Sequence, residues 1–442
     1  MNANATIQEP HRHDALLAFV AGALGHRDRA IEHASADAGA RRYWRVRDGD
    51  RTLVVMDAPP GQNDLAPFLA IDALLADAGL VVPQIIAHDA KHGFLLLSDL
   101  GPHTMLQSID AGADPEPLFD AAIDALVAMQ RLAVPDWLPR YDAALLEREL
   151  DLFPDWYLER HRGIRLEGER LAVWREARAR LVEAALAQPQ VFVHRDYMPR
   201  NLMPMSTPAE GRPHSLARAA GEGEPLAPRE RWVRAGPDAD ATAPAEGRPH
   251  SLARAAGEGG PLATRERWVR ADPDADATVP AEGRPHSLAR SAGEGEPLAT
   301  RERWVRAGAA GDATRIGILD FQDAVLGPIA YDPLSLVKDA FRSWPEARAR
   351  NWLETYRTRA QAAGLPIPER DRFLRDADWI GIQRHLKVIG IFARLCHRDG
   401  KPHYVEDAPR FFAYLDAVLP RYPEFAALAA LLREVAPETA AA

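Results

Sequence analysis

Two short apolar runs, each ending in an acid, restrict the folds open to this chain. Val191-Phe192-Val193 leads into His194-Arg195-Asp196, and Asn201 follows the acid by five residues. Ile316-Gly317-Ile318-Leu319 leads into Asp320, with Phe321-Gln322-Asp323 behind it. Runs rich in β-branched and aromatic residues, bounded by polar ones, read as strands. One strand therefore delivers a carboxylate and then an amide from a single loop, and a second strand delivers another carboxylate. Such a set holds a base for a hydroxyl proton and hard oxygen ligands for a cation.

The H-R-D-x-x-x-x-N spacing from His194 to Asn201 is that of a kinase catalytic loop, and Asp320 stands where D-F-G would begin. Phosphoryl transfer needs a carboxylate to orient the acceptor hydroxyl, the place of Asp196, and oxygen ligands for magnesium, the places of Asn201 and Asp320. An isolated His-Arg-Asp is a capping cluster as readily as a catalytic loop; two motifs in order, each after an apolar run, favour the kinase reading. Departures from protein kinases are specific. Met198 replaces a lysine, Gln322 replaces the glycine of D-F-G, and no A-P-E follows.

These traits resemble the aminoglycoside-phosphotransferase-like family. Within it, the sequence is most similar to the anomeric kinases of N-acetylmuramate and N-acetylglucosamine that serve cell-wall recycling. The residues that carry the match are V-V-M-D-A-P-P (54–60), F-L-L-L-S-D-L-G (94–101), V-H-R-D-Y-M-P-R-N-L-M (193–203), L-D-F-Q-D-A-V (319–325) and R-H-L-K-V-I-G-I-F-A-R-L-C-H-R-D-G-K-P (384–402). The resemblance implies an α/β (α+β), two-lobed protein-kinase-like fold. It also implies ATP and Mg2+ as cofactors and an amino sugar as the small-molecule acceptor. A nucleotide-binding, β-rich N-lobe is expected over 1–100, and a mainly helical C-lobe over 101–204 and 315–442. The alternatives are an aminoglycoside phosphotransferase that modifies antibiotics and, from another class, a pseudokinase that binds a partner through its repeats. Intact Asp196, Asn201 and Asp320 argue against the last.

The lysine expected on the third strand is missing: Leu53-Val54-Val55-Met56 puts Met56 near its place, and Lys91 is the only lysine from 31 to 93. Either Arg41, Arg42 or Arg45 holds the phosphates, because a guanidinium supplies both charge and a fork of donors, or the phosphates rely on metal and backbone; solvation of a hairpin is the plainer use of the same arginines. The segment 35–40 lies where a phosphate-covering loop would sit but has one glycine. The helix expected over 64–79 contains no Glu, so a Lys–Glu switch is absent. Leu97-Ser98-Asp99, where the run 94–97 leaves the sheet, is the expected hinge against adenine. Leu118, Ile123, Leu126 and Met129 space as a core stripe, and Phe153, Trp156 and Tyr157 suit core packing better than sugar stacking.

Arg384, Lys387, Arg394 and Arg398 fall on one arc of a helix, with Asp399 the only acid over 384–403. A basic face would draw an anionic acceptor such as the lactyl carboxylate of N-acetylmuramate; the alternative is a solvated surface. Asp332, before Pro333, reads as a helix cap.

Between the two motifs lies a repeat. Glu-Gly-Arg-Pro-His-Ser-Leu starts at Glu210, Glu246 and Glu282, and Trp232, Trp268 and Trp304 recur at the same 36-residue period. A solenoid can have such a period, but Gly, Pro and Ala fill each unit and large apolar residues are few. Little surface can be buried against the entropy of ordering, so 205–314 is expected to be a disordered insertion. A net charge of -10 speaks against nucleic acid. Cys396, the single cysteine, excludes an intrachain disulfide. The apolar stretch 15–24 is too short to span a bilayer and reads as a helix capped at Asp14. A cytoplasmic enzyme with no membrane partner is expected.

Overall fold

The computed structural model describes residues 3–25, 31–36, 41–61, 64–205, 232–234, 268–270 and 314–436. Two units emerge: Met1–Thr207 with Thr314–Ala442, and Pro208–Ala313. In the first unit, helix α1 (Ala3–Leu24) precedes strands β1 (Ile31–Ala36), β2 (Arg42–Asp48) and β3 (Arg51–Asp57). Helix α2 (Ala66–Asp77) follows, then β4 (Ile85–Asp89) and β5 (Phe94–Ser98). The strands form one antiparallel sheet in the order β1-β2-β3-β5-β4.

Both faces of this sheet are covered, which explains why β5 is apolar throughout. Phe94 and Leu96 pack with Val46, Leu53 and Val55 against Leu16 and Val20 of α1. Leu95 and Leu97, pointing the other way by the strand's two-residue period, join Met56 in the main core. The expected cap at Asp14 is corrected: α1 continues back to Ala3, so Asp14 lies inside the helix. Arg12, on its preceding turn, bonds Asp57 through Nε at 2.8 Å and so ties the helix to β3.

The second lobe is mainly helical, as expected. It comprises α3 (Met105–Asp110), α4 (Pro115–Gln130), α5 (Ala143–Leu150), a π-helix over Phe153–His161, and α6 (Gly168–Leu186). Asp114 caps α4 by accepting from the Glu116 amide, and Leu118, Ile123, Leu126 and Met129 are all buried. Phe153 and Tyr157 stack on each other, Phe153 also lies against Trp174, and both meet Phe412. They are core residues.

Strands β6 (Gln190–Val193) and β7 (Leu202–Met205) flank the catalytic loop. The second unit contributes β8 (Trp232–Arg234) and β9 (Trp268–Arg270), the Trp-Val-Arg of two repeat copies. They pair antiparallel with Val233 opposite Val269. The rest of the insertion, and with it the expectation of disorder, lies outside the described residues. In the first unit β10 (Arg315–Ile318) pairs with β7, and β11 (Val325–Pro328) with β6. Helices α7 (Tyr331–Val337), α8 (Glu346–Ala362), α9 (Arg370–Asp399), α10 (Ala408–Val418) and α11 (Ala426–Val435) complete the lobe.

Helix α9 runs through the middle of this lobe. At Gly390 a Cβ would stand 2.3 Å from the Leu152 carbonyl carbon, so only glycine admits the π-helix segment this closely. Among the described residues no helix is long and apolar enough to cross a membrane.

Candidate active site

The catalytic loop leaves β6 at His194 and returns through a 3-10 turn, Pro199–Asn201, into β7. The Leu319 amide donates to the Asn201 carbonyl at 2.9 Å, which lays the end of β10 beside that turn. Asn201 Nδ2 donates to the Asp196 carbonyl at 2.9 Å and lies 3.5 Å from Asp320 Oδ2. The three residues expected from sequence are thus brought together. The Asn201 amide oxygen and the Asp320 carboxylate are hard oxygen donors of the kind that magnesium takes.

Among the described residues, Arg195 (φ 75°) and Asp320 (φ 63°) are the non-glycine residues with positive φ. Both occupy the left-handed region, which persists only where surroundings enforce it. For Arg195 the enforcement comes from Asp332. Its carboxylate accepts from the His194 amide at 2.7 Å and from the Arg195 amide at 3.0 Å. Burial pushes the Asp332 carboxyl up to about 7, against the pull of those two N–H groups. The expected capping role is therefore corrected: α7 has Ala330 as its N-cap with no side-chain cap, and Asp332 faces the catalytic loop.

His194 joins the two motifs. Its Nε2 lies 2.9 Å from the Leu319 carbonyl, and its Nδ1 accepts from the Asp196 amide at 3.2 Å. A ring nitrogen facing an N–H must be bare, which places the proton on Nε2. Burial lowers the imidazole to about 4, so the link is neutral.

The Arg195 guanidinium turns into the lobe, where it donates to Glu149 and, at 3.3 Å, to the Asp323 carbonyl. Glu149 also binds Lys387 Nζ at 2.9 Å and accepts from Tyr141 Oη. Burial alone would raise this carboxyl, yet Lys387 and Arg195 outweigh it and hold it at about 2. Asp196 in turn acts electrostatically on Lys387.

A family model described as "Phosphotransferase enzyme family" matches residues 30–207 and 309–374. The chain belongs to this family. N-acetylmuramate/N-acetylglucosamine kinase of Pseudomonas aeruginosa is 42% identical over 90% of this chain and 86% of its own length. The kinase of the same name from Pseudomonas putida is 40% identical over 92% and 88%. That of Neisseria meningitidis serogroup B is 34% identical over 92% and 91%. The protein is therefore a phosphotransferase, with a sheet lobe and a helical lobe as the sequence implied.

The arginines proposed for the phosphates stand in different surroundings. Arg41 Nη1 lies 3.7 Å from Asp320 Oδ1, whereas Arg45 is engaged elsewhere, donating from Nε to Asp99 Oδ2 at 2.6 Å. Arg42 is exposed at the start of β2. Met56 is fully buried, which accounts for the absence of a lysine there. Residues 37–40 of the expected phosphate-covering loop lie outside the described residues.

Leu97 is buried in β5, and Ser98 Oγ accepts from the Gln84 amide at 2.8 Å. Asp99 also accepts from the Gly101 amide at 3.1 Å. The side chains of Ser98 and Asp99 thus shape the segment.

The four bases of α9 do not share one exposed surface. Arg384 and Lys387 are buried, Arg394 is half-buried, and Arg398 is exposed but bonded to Asp399 at 2.6 Å. A helical arc gives direction about the axis, but here α9 is packed on several sides. Sequence reasoning also missed Glu149, whose role depends on cations far away in the chain.

Proposed function

We propose that this phosphotransferase moves the γ-phosphate of ATP to the anomeric hydroxyl of N-acetylmuramate and/or N-acetylglucosamine in the cytoplasm. The observation that carries the reading is the convergence of Asp196, Asn201 and Asp320 in a chain up to 42% identical to kinases named for those sugars. In this reading Asp196 orients the acceptor hydroxyl and takes its proton, which acts as the oxygen attacks phosphorus. Asn201 and Asp320 hold Mg2+, which when bound neutralises charge on the phosphates. Arg41 supplies the phosphate contact that a third-strand lysine makes elsewhere in the superfamily, with Arg42 outside it. The chain at Leu97, Ser98 and Asp99 borders adenine.

On the acceptor side, the sequence proposal of Arg384, Lys387, Arg394 and Arg398 narrows. Lys387, whose charge acts on Asp196, favours an anionic acceptor, and half-buried Arg394 adds a second positive charge on the same helix. Electrostatic attraction of this kind adds to recognition without direct contact.

The test is ADP release from ATP and Mg2+ with each acetylated amino sugar and with aminoglycosides as acceptors, followed by phosphorus NMR of the product. Turnover with the amino sugars and an acid-labile anomeric phosphate is the expected result. Turnover confined to aminoglycosides, or a phosphate on another hydroxyl, overturns the reading.

A further inference from the structure

Gln322 occupies the position that D-F-G gives to glycine, and its side chain turns back on the motif's own acid. Its Nε2 donates to Asp320 Oδ1 at 2.7 Å. The amide orientation follows from chemistry, because an ionised carboxylate only accepts and must therefore meet the NH2 end. The residue is 8% exposed, and Oε1 is buried with no hydrogen-bond partner among the described residues. A packing role alone would be met better by Leu or Met, which bury no polar atom.

Several restraints therefore meet on one short segment. Asp320 holds a left-handed backbone conformation. Gln322 hydrogen-bonds its Oδ1, with Arg41 Nη1 farther off at 3.7 Å, and Asn201 Nδ2 stands 3.5 Å from its Oδ2. Phe321, between them, is fully buried and packs 4.8 Å from Phe68 of α2. In D-F-G the packing of the phenylalanine separates active from inactive arrangements, and the glycine leaves the segment unrestrained. Here a side chain replaces that freedom with a bond to the working carboxylate.

We propose that Gln322 is a positioning residue that fixes the Asp320 carboxylate in the orientation that receives the divalent cation of the metal–nucleotide complex. The proposal rests on the reading of Asp320 as a metal ligand. Groups that orient a ligand in this way govern metal affinity by about 10–100-fold when removed.

Calorimetric binding of ATP, with Mg2+ and with a chelator, separates the possibilities in wild type, Gln322→Met and Asp320→Asn. Gln322→Met keeps length and packing but has no donor. It is expected to bind metal-free ATP as wild type does, to melt within a few degrees of it, and to lose about tenfold or more of the Mg2+-dependent gain in affinity. In turnover, its KM for Mg2+ should rise more than kcat falls. An unchanged Mg2+ gain in Gln322→Met, with the gain abolished in Asp320→Asn, overturns the proposal and leaves the metal reading intact. A gain retained in Asp320→Asn removes the metal reading itself and the proposal with it. Should Gln322→Met not fold, Gln322→Leu, which also lacks the donor and adds no ligand oxygen, takes its place. It should lose about tenfold or more of the Mg2+ gain, and an unchanged gain overturns the proposal.

Discussion

In the proposed mechanism Asp196 acts from a loop whose backbone is held by Asp332 and His194, and the two kinds of residue should fail differently. Asp196→Asn keeps the loop but removes the base, so kcat should fall by roughly 10²–10⁴ while ATP binding persists. A variant keeping more than about a tenth of wild-type kcat would exclude Asp196 as the base. Asp332→Asn instead turns one acceptor of a backbone N–H into a donor facing it. An unsatisfied buried donor costs about 1–3 kcal/mol, so both stability and kcat should drop, with substrate KM little changed; a normal kcat in the folded variant would show that the loop does not depend on Asp332. The difference in legibility has the same origin. Asp196, Asn201 and Asp320 can be read from sequence because chemistry fixes their type and local spacing. Asp332 cannot, because Asp-Pro carries a capping signal and only the tertiary contact with the His194 and Arg195 amides reveals its use. Arg41 is one of three candidate arginines in the sequence, and its 3.7 Å distance to Asp320 is what favours it in the proposed reading.

Between elements, the decisive junction is where α5, the catalytic loop and α9 meet at Glu149. Periodicity marked the strands that lead into the two motifs and the core stripe of α4, since burial on one face or two leaves a pattern in the chain. It placed Lys387 on a basic arc but could not say that α5 would bring a carboxylate to it. Removing that carboxylate leaves Arg195 and Lys387 buried without compensation, so Glu149→Gln should cost about 3–5 kcal/mol near neutral pH. The pH dependence has a definite sign. The Glu149 carboxyl sits at about 2 in the folded protein, below the ordinary value of about 4.3. Its contribution is complete above that ordinary value and is lost as pH falls towards 2. Denaturant unfolding of both proteins should show a constant gap above about pH 5 that narrows below it. A gap that stays constant down to pH 3 would contradict the pairing.

At the scale of the whole molecule, the interruption of a catalytic hairpin by a repeat calls for explanation. The two motifs are separated in sequence by the insertion, yet β7 and β10 pair as though joined by a turn, with Met205 opposite Arg315 and Leu202 opposite Ile318. The register at the motif end is fixed locally: the Leu319 amide bonds the Asn201 carbonyl, and the Ile318 amide bonds the Val81 carbonyl. Neither bond involves the insertion. Among the described residues, those of the main core that supports the site lie outside the insertion. Opposed Cα atoms in an antiparallel pair stand about 4.5–5.5 Å apart, a gap that a two-residue Asn-Gly turn closes with the twist a hairpin needs. Replacing residues 206–314 by Asn-Gly should therefore give a folded enzyme with kcat within a few-fold of wild type. The entropy of closing a loop falls with its length, though only logarithmically, so the melting temperature should stay level or rise. Thermal melts and steady-state turnover of the deletion variant check both expectations. Insoluble protein, or a folded variant about a hundredfold slower, would mean that the repeats contribute to the working structure.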